Sequence, residues 1–256
     1  MATNLFDFTG KVAIITGASS GLGVTFAEAL AEAGADLTIC ARRLNRLEET
    51  AEKIIALGRR CLVVQTDVTQ ADQVENMVSK TVQEYGKIDI LVNNAGASYP
   101  GAKLAEEVDF DAYRQVMEAN LTSAALCSHR VGREMLARGY GRIINIASIL
   151  GVVGGIPEDQ SFAYSISKHG MVGLTRACAL QWAQRGITVN AIGPAYFPSE
   201  MTDTHADTWG PIARHTPLGR LGRPEELKTA VLFLAAEASS YVTGQTICID
   251  GGWTAW

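Results

Sequence analysis

The stretch KVAIITGASSGLG, Lys11 to Gly23, decides the fold. An apolar, β-branched run at 11–16 passes directly into a turn with glycines at 17, 21 and 23, and a helix-forming segment follows at once. A strand that feeds a helix through glycines brings backbone N–H groups and the positive end of the helix dipole to bear on an anion. Gly17, Gly21 and Gly23 permit positive φ and a close backbone approach. The order strand, glycine turn, helix therefore marks a dinucleotide pyrophosphate site built from Gly17, Ser19, Ser20, Gly21, Leu22 and Gly23. The spacing, GxxxGxG, differs from the common GxGxxG.

Outward from that turn, short apolar runs at 35–40, 60–66, 88–94, 141–148, 187–193 and 245–250 alternate with helical patterns at about 22–33, 44–57, 70–85, 109–137, 162–185 and 224–236. Runs apolar on both faces and separated by helices are parallel strands covered on both sides. The pattern predicts a single α/β domain over 1–256, a Rossmann-type doubly wound parallel sheet of seven strands with helices on both faces. The long irregular piece at about 194–223 reads as a lid over a ligand, since loops of that length in compact domains are usually functional.

Composition narrows the partner. The 256 residues carry a net charge of -5, with 47% hydrophobic and 19% charged residues. An acidic chain with no basic block lacks the electrostatic footprint of a nucleic-acid binder. No secretory leader pattern and no uninterrupted apolar span of membrane length is present, so neither secretion nor membrane insertion is expected. Five cysteines, at 40, 61, 127, 178 and 248, form no CxxC pair and no Cys/His cluster, and read as reduced thiols of a cytoplasmic protein. His169, His205 and His215 have no ligand spacing, so no metal is expected. The partner is a small molecule.

The segment YSISK, 164–168, puts a phenol and an ammonium on one face of a helix, four residues apart. Together with TGASSGLG, NNAG at 93–96, Asn120 in MEANL and Ser148 in NIAS, it resembles the short-chain dehydrogenase/reductase family, and the resemblance runs from Lys11 to the DGG at 250–252. It implies hydride transfer between a nicotinamide dinucleotide and an alcohol or ketone. That chemistry requires a general acid/base within hydrogen-bond reach of the oxygen. Tyr164 is the candidate. Free tyrosine titrates near 10, so service near neutrality needs a shift of up to ~3 units, and the neighbouring cation Lys168 favours the phenolate. The resemblance also gives Lys168 a contact with the cofactor ribose, Ser148 the orientation of the substrate oxygen, and Asn120 a water linking the lysine to solvent. It places Asp67 and Val68 at the adenine, Asn94, Ala95 and Gly96 along the cofactor, and Pro194, Phe197, Ser199 and Met201 beside the nicotinamide half. Where the family usually reads Pro-Gly after the sixth strand, this chain has Pro194-Ala195.

An acid about 20 residues past the glycines would bond the ribose 2′-OH of NAD, and an arginine there accommodates the 2′-phosphate of NADP. Here the second strand ends in Arg42-Arg43, at the start of a helix whose dipole disfavours cations. NADP(H) is therefore the preferred cofactor, with NAD(H) possible. Ser148, Ile149, Tyr164, Tyr196 and Phe197, with Trp209 nearby, are expected to line the substrate pocket. That largely apolar lining favours a ketone reductase, while AIGPAYFPSEMT also resembles gluconate 5-dehydrogenases of polyol or sugar-acid type. A 3-oxoacyl-carrier-protein reductase would want a basic docking patch, and a non-catalytic NADP-binding regulator would not need the full Asn120, Ser148, Tyr164, Lys168 set. Few charges and several small residues between 162 and 185 predict a second burial surface, hence a homo-oligomer, which the family resemblance makes a tetramer.

Overall fold

The computed structural model describes residues 4–98, 104–155, 162–198 and 209–255. Seven strands, β1 (Val12–Thr16), β2 (Asp36–Ala41), β3 (Cys61–Gln65), β4 (Ile90–Asn93), β5 (Gly141–Ile146), β6 (Ile187–Pro194) and β7 (Thr246–Ile249), end within two residues of the expected bounds. They form one parallel sheet in the order β3-β2-β1-β4-β5-β6-β7. The helices α1 (Gly21–Glu32), α2 (Leu44–Ala56), α3 (Ala71–Tyr85), α4 (Phe110–Met117), α5 (Ser123–Arg138), α6 (Phe162–Trp182), α7 (Trp209–His215) and α8 (Lys228–Ala235) connect them.

Both faces of the central strands are covered because successive side chains point to opposite sides of the sheet. Ile15 packs into one core with Phe26 of α1, Leu47 of α2 and Val231 of α8, whereas its neighbour Ile14 packs into the other with Met77 of α3 and Val131 of α5. Every residue of β1, β2, β4, β5 and β6 is buried, and the edge strands β3 and β7 are only partly so. From β1 the chain winds outward to β3, then returns past β1 to β4, so the turns leaving β1 and β4 diverge above their carboxyl ends. Ligands of open α/β sheets bind in the crevice at that switch point. Among the described residues no helix is long and apolar enough to cross a membrane.

Three expectations need correction. The continuous helix expected over 109–137 is broken by a π-turn at Glu118–Thr122 between α4 and α5. Such one-residue expansions accompany functional sites, and here the expansion carries Asn120 at 0% exposure. The helix expected at 224–236 begins as a 3₁₀ turn, Pro224–Leu227, before α8. The segment 194–223, expected to be irregular, carries α7.

Candidate active site

The glycine turn is held from two sides. The Thr16 hydroxyl at the end of β1 accepts from the backbone N–H groups of Asn94 and Ala95, each at 3.0 Å. In return the Asn94 side-chain amide donates to the carbonyls of Thr16 at 3.0 Å and Gly17 at 3.1 Å. Gly17 and Gly21 take φ of 69° and 55°, the left-handed region that glycine enters freely. A Cβ on Gly23 would stand 2.2 Å from the Gly17 carbonyl oxygen and 2.6 Å from the Asn94 amide nitrogen, so the clamp closes only over a bare backbone.

Ser20 occupies the N-cap of α1, yet its side chain makes no capping bond and the first turn contains no acid. The opening N–H groups of the helix are thus offered to an outside anion. The Ser20 hydroxyl accepts instead from Arg43 Nη2 at 2.6 Å, and Ser19 accepts from the same nitrogen at 3.3 Å. Arg43 is itself the N-cap of α2, whose first turn also lacks an acid. Arg43 and two serine hydroxyls therefore meet at one edge of the turn and Arg42 lines the same cleft, whose lining carboxylates among the described residues, Asp67 and Glu118, lie after β3 and in the π-turn. This donor set, the uncapped α1 and the Gly23 cradle fit a phosphorylated dinucleotide.

The cleft above the switch point holds about 510 Å³ and runs from Arg42 and Asp67 to Ser148, Tyr164 and Phe197. Asp67 and Val68 form part of its wall, and the Asp67 carboxylate accepts from the Thr69 backbone at 3.0 Å and hydroxyl at 2.8 Å, which shapes its own turn. Asn94, Ala95 and Gly96, after β4, line the cleft between the glycine turn of β1 and Ser148 after β5, and Pro194 at the end of β6 lines it beyond Ser148.

At that end three predicted residues meet. Ser148 follows β5 in extended backbone and caps a short turn, its oxygen accepting from the Leu150 N–H at 3.1 Å, which leaves the hydroxyl proton to donate elsewhere. Tyr164 and Lys168 stand one turn apart on α6, with the ammonium 5.4 Å from the phenol ring centre. Lys168 is 4% exposed and donates to the Ile146 carbonyl at 2.7 Å. Burial pushes its ammonium down to about 8. The fourth residue, Asn120, does not line the cleft. Its amide accepts from the Ala97 N–H at 2.7 Å and donates to Ser167 Oγ at 3.0 Å, and Ser167 in turn donates to the Tyr164 carbonyl at 2.7 Å. Both ends of the Asn120 side chain thus brace the α6 backbone against the loop after β4, a link through Ser167 that motif reading had no means to reveal.

A family model described as enoyl-(acyl carrier protein) reductase matches residues 17–254. A crystal structure of a short-chain type dehydrogenase/reductase from Mycobacterium marinum matches with a TM-score of 0.95 at 40% identity, covering 99% of each chain. The chain belongs to the short-chain dehydrogenase/reductase family. It is an oxidoreductase of that family. It is 41% identical over 249 residues to cis-4-hydroxycyclohexanecarboxylate dehydrogenase of Sinomonas cyclohexanicum, covering 97% of this chain and 98% of the relative. It is 40% identical, over the full length of both, to 2-dehydro-3-deoxy-D-gluconate 5-dehydrogenase of Dickeya dadantii. A gluconate 5-dehydrogenase from Burkholderia cenocepacia J2315 in complex with NADP and tartrate matches with a TM-score of 0.92 at 33% identity, covering 99% of this chain and 98% of the other.

Within this family member, two of the expected substrate residues fall elsewhere. Ile149 is 1% exposed and packs with Ile212 and Trp253, because the 3₁₀ turn that Ser148 caps rotates it into the core. The Tyr196 ring packs against Trp253, ring centres 5.1 Å apart and tilted by 56°, and Tyr196 lines a second cavity of about 120 Å³. Phe197 does line the cleft. Ser199 and Met201 lie outside the described residues, and Trp209 opens α7 without lining the cleft. Residues that sequence reasoning missed include Thr66 and Thr69, which flank the Asp67-Val68 pair, and Gln115 and Glu118, which the α4 and π-turn geometry alone brings to the rim.

Proposed function

We propose that this chain interconverts a ketone and a secondary alcohol with NADP(H), using Tyr164 as general acid in reduction and general base in oxidation. The observation that carries the reading is the meeting of Ser148, Tyr164 and Lys168 at one end of a cleft whose other end is the Arg43-serine cradle. The phosphates fall to the α1 N-terminus and the glycine turn, a 2′-phosphate to Arg42 and Arg43, the adenine to the Asp67-Val68 wall, and a ribose to Tyr164 and Lys168. Bound there, the nicotinamide supplies or accepts the hydride at the carbinol carbon.

The protein's own part is to hold the oxygen and move its proton. Ser148 donates its free hydroxyl hydrogen to the substrate oxygen, leaving Tyr164 to deliver a proton as charge develops there. Lys168 stabilises the phenolate left behind, since a buried cation one turn away favours the charged form. Asn120 and Ser167 keep the tyrosine-bearing turn in register. Because the buried Lys168 titrates at about 8, its charge is present below that pH and is lost as pH rises through it. The expected result is a kcat/KM for ketone reduction that falls above about pH 8, by up to about tenfold per unit. A profile flat to pH 10 would contradict this coupling.

Of the apolar residues expected to flank the substrate only Phe197 lines the cleft, so ketones with apolar flanks keep one supporting contact as a substrate class. A hydroxy-acid class stands second, and the names of the 40–41% identical relatives favour it. Mixing the protein with NADPH and a panel of ketones and keto acids, followed at 340 nm, separates these classes. Tight NADPH binding with no consumption on any carbonyl would instead indicate a non-catalytic regulator.

Phe110 on α4 and Ile166 and Leu180 on α6 are exposed by 60%, 37% and 86%. We infer that these helices bury one another in a homo-oligomer. Of the small residues on α6, Gly173 and Ala177 face outward, whereas Ser167 is internal and Gly170 accommodates Leu121, 2.5 Å from where its Cβ would sit. Light scattering after size exclusion is expected to return a multiple of the 27.4 kDa chain mass. A monomer at micromolar concentration would contradict it.

A further inference from the structure

The segment Arg220-Leu221-Gly222-Arg223, at the end of the long piece 194–223, passes behind Phe197. Phe197 is 5% exposed and forms the partition between the dinucleotide cleft and the 120 Å³ cavity, since its side chain lines both. Gly222 lines the cavity side only. A Cβ on Gly222 would lie 2.2 Å from Cε1, 2.5 Å from Cζ and 2.7 Å from Cδ1 of the Phe197 ring. Contacts that short require movement, and the backbone of residue 222 is poorly placed to provide it. Its N–H donates to the Tyr196 carbonyl at 3.0 Å, one residue from Phe197 itself.

On either side of Gly222 the chain is fastened to one carboxylate. Glu226 accepts two bonds from the Arg220 guanidinium, at 2.8 and 2.7 Å, and a third from the Arg223 backbone N–H at 2.8 Å. Such bidentate, charge-assisted contacts fix geometry as well as distance. The Arg220 guanidinium holds the Glu226 carboxyl down to about 2, so the fastening is intact wherever an assay is run. Pro224, the first residue of the following 3₁₀ turn, stiffens the exit.

We propose that Gly222 is a positioning residue for the cofactor cleft: held by Glu226 through Arg220 and Arg223, its bare backbone fixes the Phe197 ring as the cleft wall beside Pro194, and any side chain there drives the ring into the space a dinucleotide would occupy. The proposal rests on the NADP(H) reading of that cleft. It assigns the Arg220–Glu226 stretch a part in cofactor affinity although neither of those side chains lines the cleft.

The test is a double-mutant cycle in NADPH dissociation constants, read by fluorescence titration of the full chain without substrate. Gly222→Ala is expected to weaken NADPH at least tenfold in the native background. In a Phe197→Leu background, where the ring that meets the methyl is gone, the same substitution is expected to change the constant by less than threefold. Equal losses in both backgrounds, or an affinity for Gly222→Ala within twofold of the native protein, would overturn the proposal. Should Gly222→Ala fail to fold, Glu226→Gln carries the test: loosening the fastening is expected to weaken NADPH by threefold or more, and unchanged affinity would overturn it. A native protein that binds no NADPH would overturn the cofactor reading instead, so the two failures are distinguishable.

Discussion

Tyr164→Phe is expected to lower ketone turnover by about 10³-fold, within the range that positioned acid–base groups supply, while NADPH affinity stays within about threefold because cofactor binding rests on many other contacts. The substitution removes one oxygen and keeps the ring beside Lys168. The lysine keeps its bond to the Ile146 carbonyl, and the α6 backbone keeps its tie to Ser167 and Asn120. Loss of turnover without loss of binding is therefore the signature of a missing proton donor, not of a displaced helix. Steady-state rates at 340 nm and fluorescence titration separate the two quantities. Turnover within threefold of the native protein would remove Tyr164 from the acid/base role.

Replacing Arg42 and Arg43 together by Ala is expected to weaken NADPH by about 10²-fold or more, since each charge-assisted hydrogen bond contributes about 1.5–3 kcal/mol. NADH, which has no 2′-phosphate, is expected to change by less than about fivefold, as it loses only weak contacts with exposed side chains. The preference between cofactors then collapses. Arg43 also donates to Ser19 and Ser20, which makes a second outcome informative. If both cofactors weakened equally, Arg43 would be a brace of the glycine turn and the 2′-phosphate assignment would fall.

The seven strands and the dinucleotide turn were legible in the sequence because they rest on local signals: apolar runs of strand length, and glycines where positive φ and close approach demand them. Helical spacing made Tyr164 and Lys168 legible on one face, and Ser148 joined them only through the family resemblance, which carries the set across distant parts of the chain. What escaped has non-local causes. The π-turn at Glu118–Thr122 carries Asn120, which bonds Ala97 and Ser167 across the fold, and no periodicity records such a contact. Ile149 was read as a pocket residue from its position after Ser148, yet the capped turn directs it inward. Tyr196 was read as a substrate contact, but its ring is claimed by Trp253 from the far end of the chain. Helix α7 went unread because its seven residues, WGPIARH, contain an early glycine and proline that mimic a loop.

The most direct test of the whole account is to follow one hydrogen. Incubation with a ketone and NADPH deuterated at C4 of the nicotinamide ring, followed by mass spectrometry of the product, reads the transfer itself. The expected product is a secondary alcohol carrying one deuterium on its carbinol carbon when the transferred face is labelled, with one NADPH consumed per alcohol formed. Tight NADPH binding with no labelled alcohol from any member of the ketone and keto-acid panel would contradict it.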